Sequence, residues 1–301
     1  MTAHTDNALA TTAANLARWI DPHIHLFALS EGEYKWLEPQ RAPFWRDKAD
    51  IAKDVTEHTL IRGAQGALTG FVHIEAGYDN HRPWREIHFL ERHCRLPFRS
   101  IACVDITANS ARAHIDLLAG FQSVCGVRHI LDEQACAILG TPKAQWSLSH
   151  LSALGLSFEA QLNLADNAAV GALLGVIERN PTLRVALNHA AIAPLEISSL
   201  SFKRWRQHIR DLSESAQVVF KFSGLEMQQR QWSWQRARFV FDELLTLVSV
   251  PEVMFASNFP LSNWRMPYRA LWDGYYQLSH SMDRAQQQAL MLTNAKDWYW
   301  R

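Results

Sequence analysis

The chain has 301 residues, 48% of them hydrophobic, and its 30 Lys and Arg balance 30 Asp and Glu. That balance argues against a polyanionic partner or an anionic membrane surface, and the absence of an 18-residue apolar run argues against a spanning helix. The four cysteines, Cys94, Cys103, Cys125 and Cys136, lack CxxC spacing and are too few for a disulfide scaffold; they read as free thiols of a cytoplasmic protein.

Residues 1–16 are mostly small and polar, with neither a basic start nor an apolar core, and read as a flexible lead-in rather than a signal peptide. Beyond them, no linker or internal repeat divides residues 17–301, which are expected to form one domain. The first strand, 17–25, ends in Asp21-Pro22-His23-Ile24-His25. Side chains alternate along a strand, so His23 and His25 share a face and could grip one metal ion or one anionic substrate. A second strand, 67–75, ends in His73 and Glu75, and helical spacing follows over 84–95. Strands at 99–106 and 124–131 end near Asp105 and at Arg128-His129; one at 155–162 carries Glu159 and Gln161. After a helix over 167–179, three more strands at 183–189, 217–223 and 252–257 lead to Asn188-His189, Lys221 with Ser223, and Ser257-Asn258.

Eight strands alternating with helical segments imply parallel βα units, because a parallel return needs a crossover of about a dozen residues or more. Eight such units close a (β/α)8 TIM barrel, an α/β fold whose chemistry sits at the C-terminal ends of its strands. Polar, chemically capable residues stand at almost every one of those ends. Arg128 offers a bidentate clamp for a carboxylate or polarises a carbonyl; its structural alternative is an ion pair with a neighbouring acid. Lys221 either faces the mouth or pairs with Glu159. The Trp- and Arg-rich stretch 201–238 reads as amphipathic helices rather than a nucleic-acid face. Ser223 and Ser257 lack a Ser-His-Asp partner set.

Taken in order, these motifs resemble the amidohydrolase-2 family of metal-dependent hydrolases, in particular its branch of sugar lactonases and pyrone-dicarboxylate lactonases. The matching pieces are Asp-Pro-His-Ile-His at 21–25, Tyr-Lys-Trp-Leu at 34–37, Val-His-Ile-Glu-Ala at 72–76 and Gly-Val-Arg-His-Ile-Leu at 126–131. Leu-Ser-Phe-Glu at 156–159, Leu-Asn-His-Ala at 187–190, Lys-Phe-Ser-Gly-Leu at 221–225, Phe-Ala-Ser-Asn-Phe-Pro at 255–260 and Asn-Ala-Lys-Asp-Trp-Tyr at 294–299 continue the series. The resemblance implies a site built from His23, His25, His189 and Asn258, with the three histidines as the metal ligands if a metal is held. At the strand-eight position the family usually carries Asp; here it is Asn258, an amide that cannot serve as a base near neutral pH.

Two repairs are open. One divalent metal, Zn or Mn, could activate its own water, or a metal-free site could draw its base from Glu75, Asp105, His73 or His189. The expected reaction is hydrolysis of a lactone or related cyclic ester of a small carbohydrate or carboxylic acid, with His23, His25, His189 and Asn258 catalytic. Arg128, His73, Glu75 and Trp36 are expected to bind substrate, Trp36 standing with Tyr34, Phe44 and Trp45 in a long first loop across the mouth. The alternatives are a metal-dependent decarboxylase and a non-catalytic metabolite-binding barrel. The expected partner is a small molecule, with a homodimer among the assemblies allowed. If the amide is a crippled base, Asn258→Asp raises turnover.

Overall fold

The computed structural model describes residues 18–301, so the lead-in expected over 1–16 lies outside the described residues. Eight strands, Trp19–Ile24 (β1), Leu68–Ile74 (β2), Phe98–Cys103 (β3), Val124–Asp132 (β4), Ser157–Leu162 (β5), Val185–Leu187 (β6), Val218–Phe222 (β7) and Val253–Phe255 (β8), pair in chain order, every pair parallel. The ring closes between the last strand and the first: Ile24 bridges Phe259 in parallel, and the His25 N–H donates to the Phe259 carbonyl at 2.7 Å. This is the (β/α)8 barrel that the alternation of elements implied. The expected ranges overlap all eight strands but overrun β6 and β8, each only three residues long.

Helices fill the returns. Glu57–Ala64, Pro142–Ala153, Asn167–Arg179, Leu200–Ser213 and Trp234–Leu245 each start behind a side-chain cap, from Thr56, Thr141, Asp166, Ser199 and Ser233 respectively. Such caps satisfy backbone N–H groups that a helix start leaves unpaired. Within the Trp- and Arg-rich stretch 201–238, the helices Leu200–Ser213 and Trp234–Leu245 flank β7, and the first buries Phe202, Trp205, Ile209 and Leu212.

Strand alternation sorts the barrel into two apolar layers. Ile20, Val72, Ile74, Ile101, Ala186, Val219 and Met254 cluster in the interior with Trp298 and Tyr299 of the C-terminal helix. Phe71, Phe158, Phe220 and Phe222 belong to the larger layer shared with the surrounding helices. Lys221 crosses the interior to pair with Glu159 at 2.8 Å, both side chains fully buried, and donates to the Pro22 carbonyl at 2.8 Å. The Tyr299 hydroxyl donates to the other oxygen of Glu159 at 2.5 Å. Of the two roles open to Lys221, the structure therefore gives the pair with Glu159. Among the described residues, no helix is long and apolar enough to cross a membrane.

Candidate active site

Three imidazoles meet at the C-terminal end of the barrel, with His23 fully buried and outside the cavity lining. The pairing of β1 with β2 is irregular between Asp21 and Ile24, and there the rings of His23 and the following His25 stand 5.2 Å apart, centroid to centroid. The His189 ring lies 4.7 Å from that of His23. His189 opens a run of four left-handed residues, His189, Ala190, Ala191 and Ile192, with φ between +49° and +60°. Such conformations are costly for residues with a Cβ and persist where the surroundings over-determine them. One determinant is Gly224, at φ +68°: a Cβ there would come within 2.3 Å of His189 Nδ1. Ser223 Oγ lies 3.2 Å from the same nitrogen.

Burial keeps all three rings neutral. It is the first cause holding His23 and His25 well below the ordinary imidazole value, aided by Lys221 and Arg128 respectively. His189 is brought down to about 3 by burial, then by Arg128 and Lys221. A neutral ring carries one proton, and the His25 proton can be placed. Its Nδ1 sits 2.8 Å from the Ile74 carbonyl, an acceptor only, so Nδ1 donates and Nε2 keeps a bare lone pair. Both nitrogens of His23 are buried without a partner.

Asn258 completes the rim from beyond β8. Its backbone takes φ +61°, tolerable for Asn, and its N–H donates to the His23 carbonyl at 2.9 Å. Its side-chain Nδ2 donates to Glu226 Oε1 at 2.7 Å. Glu226 stands on the single helical turn Leu225–Gln228 after β7, and burial pushes its carboxyl up to about 7 against the downward pull of the Asn258 hydrogen bond. Below, the Asp21 carboxylate ties β1 to β8 and the helix Tyr268–Leu278, accepting from Ser257 N at 3.0 Å and the Tyr268 hydroxyl at 2.9 Å.

A cavity of about 500 Å³ opens above these groups, lined by His25, His189, Asn258, Arg128, Glu75 and Trp36, with Trp45, Asn80, Asp132 and Gln161 on its walls. Arg128 bonds Glu75 through Nε at 2.8 Å and Nη2 at 2.7 Å, so the ion pair and the mouth position coexist. Its Nη1 makes no hydrogen bond to the described residues and remains free for a ligand. Burial outweighs Arg128 at Glu75 and leaves that carboxyl above its ordinary value. Trp36 donates from Nε1 to the Ala76 carbonyl at 2.7 Å and packs on Gly77, where φ is +82° and a Cβ would approach Trp36 to 2.8 Å. Within the same loop Tyr34 is buried, whereas Phe44 points to solvent.

Not every expected residue reaches the cavity. His73 shares the face of Phe71, turned toward the helices. Its Nε2 pairs with Glu86 at 3.0 Å and its Nδ1 accepts from Leu26 N at 3.3 Å, so it stands outside the cavity lining. Asp105 lies outside the lining and is held by Thr107. Glu226 lies beyond Ser223, where the sequence places the end of the seventh strand; the signal that marks it is its place directly after Lys-Phe-Ser-Gly-Leu. The donor set does not fit a divalent metal: among the described residues no three His, Cys, Asp or Glu are arranged to hold one, and the strand-eight donor is an amide. No chemical step is therefore routed through a metal.

An eight-stranded parallel barrel with histidines at its rim defines the class, and the sequence comparison names it. The chain belongs to the amidohydrolase family, whose sequence pattern matches residues 20–301. An uncharacterised Sinorhizobium fredii protein is 25% identical over 296 residues, covering 93% of this chain and 97% of its own. This chain superposes with a TM-score of 0.79 at 19% identity on the HEPES-bound form of an amidohydrolase from Burkholderia multivorans, also solved with bound zinc, covering 94% of this chain and 99% of that one. A probable 2-pyrone-4,6-dicarboxylic acid hydrolase from Acinetobacter baumannii, solved with citric acid, gives 0.69 at 16% identity, covering 94% and 100%.

Proposed function

We propose that the chain is a hydrolase that opens a lactone or related cyclic ester of a small carbohydrate or carboxylic acid. The observation that carries this reading is the cavity in which a free Arg128 nitrogen, a bare His25 Nε2 and the Asn258 amide face one volume walled by Trp36 and Trp45. Arg128 Nη1 would donate to the lactone carbonyl and stabilise the oxyanion as water adds. His25 Nε2 would accept the hydrogen of that water and the Asn258 oxygen would orient it. The acyl C–O bond of the ring then breaks, the proton passes to the departing ring oxygen, and a hydroxy acid is released. Trp36 and Trp45 offer flat apolar faces to a ring substrate and exclude bulk water. The free thiols support a cytoplasmic location.

The test is acid release from a panel of sugar γ- and δ-lactones and pyrone carboxylates, with Arg128→Ala as control. Hydrolysis well above background, lowered about 100-fold or more in the control, is expected. No hydrolysis across the panel, or release of carbon dioxide from hydroxybenzoates instead, would overturn the reading. Protein purified without chelator or His-tag is expected to contain well under one divalent metal per chain. Stoichiometric zinc or manganese that is lost in His23→Ala would replace the metal-free route.

A further inference from the structure

The strand-eight position lacks a carboxylate, yet a carboxylate stands one hydrogen bond behind it. Glu226 is buried, and its Oε1 lies 2.7 Å from Asn258 Nδ2. An ionised carboxylate only accepts hydrogen bonds, so it can face the NH2 of an amide and not the oxygen. The amide is thereby turned with Oδ1 away from Glu226. That oxygen has no protein partner among the described residues, and Asn258 lines the cavity.

We propose that Glu226 is a positioning residue of the site, holding the Asn258 amide so that its oxygen faces the substrate cavity. The negative charge missing at position 258 is thus kept in the site at one remove. This inference rests on the reading of the cavity as the place of reaction. Its consequence is a pH-dependent orientation. Glu226 protonated can donate to an amide oxygen, which releases the constraint on which way Asn258 points. The charged and titratable groups around Glu226 are Arg230, four residues on, whose side chain donates to the Glu226 backbone carbonyl, and Tyr275 of the helix Tyr268–Leu278. With its carboxyl brought to about 7 by burial, Glu226 would change state within the ordinary working range.

The pair also reverses the expectation for Asn258→Asp. That substitution sets two buried carboxyls within hydrogen-bond distance, where both cannot ionise and one proton must be retained. Turnover is then expected to fall, not rise.

The experiment is a cycle of Asn258→Asp, Glu226→Gln and the double substitution, read by kcat/KM against pH on the best lactone of the panel and by Tm against pH. Asn258→Asp alone should lose about tenfold or more in kcat/KM at pH 7.5. The double substitution, which exchanges amide and carboxylate, should recover most of that loss. Glu226→Gln should lower kcat several-fold and abolish the limb centred near pH 7. Between pH 6 and 8, Asn258→Asp should lose Tm relative to wild type by about 5 °C or more, and the added Glu226→Gln should restore it. A double substitution no better than Asn258→Asp, or a Glu226→Gln pH profile superimposable on wild type, overturns the positioning role. The Tm series needs no substrate: if no lactone is turned over but the Tm coupling holds, the reaction assignment fails and the pair stands, whereas absent coupling overturns the pair whatever the substrate.

Discussion

At the scale of single residues, His23 carries the clearest mark of function over stability. Two buried ring nitrogens without partners cost about 1–3 kcal/mol each in lost hydration. Replacing that ring by an apolar side chain removes the penalty, so His23→Leu is expected to raise Tm by several degrees while lowering kcat/KM about 100-fold or more. A calorimetric scan beside a lactone assay checks both; a lower Tm would mean that the ring is held for packing. The buried carboxyls give a second prediction with a definite sign. Glu226 and Asp21, brought up by burial to about 7 and about 6, stay protonated in the folded chain where the unfolded chain has ionised. The unfolded state then binds fewer protons, so each contributes a loss of stability as pH rises from the unfolded value toward the folded one. The lowered histidines act oppositely, weakening the fold as pH drops below about 6.5. Urea unfolding of wild type and Glu226→Gln between pH 4.5 and 8 isolates the first effect: the stability gap should widen in favour of the variant toward pH 7.

At the scale of elements, the mouth loop is tied to the β7 side by Arg230. Arg230 lies 4.0 Å over the Trp264 ring and 5.4 Å from that of Trp45, and its Nε bonds Asp47 at 2.6 Å. Trp45 in turn meets Trp36 edge to face at 6.2 Å. The ion pair is only about a quarter exposed, so its strength comes from stacked, partly desolvated contacts rather than from a surface charge pair. Arg230→Ala should therefore raise KM about three- to tenfold and speed proteolysis within residues 34–47, with the barrel's cooperative unfolding retained. Unchanged KM and cleavage would show that the loop stands without Arg230. Elements were legible in the sequence where periodicity was strong: the helix expected over 167–179 is Asn167–Arg179 as observed. The expected ranges overrun the short β6 and β8, taking in Asn188-His189 and Ala256-Ser257 of the turns that follow. Those turns are left-handed, and nothing in residue periodicity announces a run such as His189 to Ile192.

At the scale of the whole molecule, the Lys221–Glu159 pair joins β7 to β5 across the interior, and Tyr299 ties the C-terminal helix to the same carboxylate. Removing one partner strands a buried charge, so Lys221→Met should cost about 3–5 kcal/mol. Lys221→Met with Glu159→Leu should recover much of that cost, since well-packed apolar pairs replace buried ion pairs at little loss. Chemical unfolding measures both, and a double variant no more stable than the single would refute the account. The residue types along the chain determined the barrel by themselves: alternating strands and helices leave parallel pairing as the way to bury eight apolar segments. They also determined that His23, His25, His189 and Asn258 meet, because all four stand at or just past the C-terminal ends of strands that share one rim. The tertiary structure alone decided which neighbours each group meets there. It turned His73 outward to Glu86, paired Arg128 with Glu75, and set Glu226 behind Asn258, since these contacts join residues distant in sequence and depend on the angle at which each turn leaves its strand.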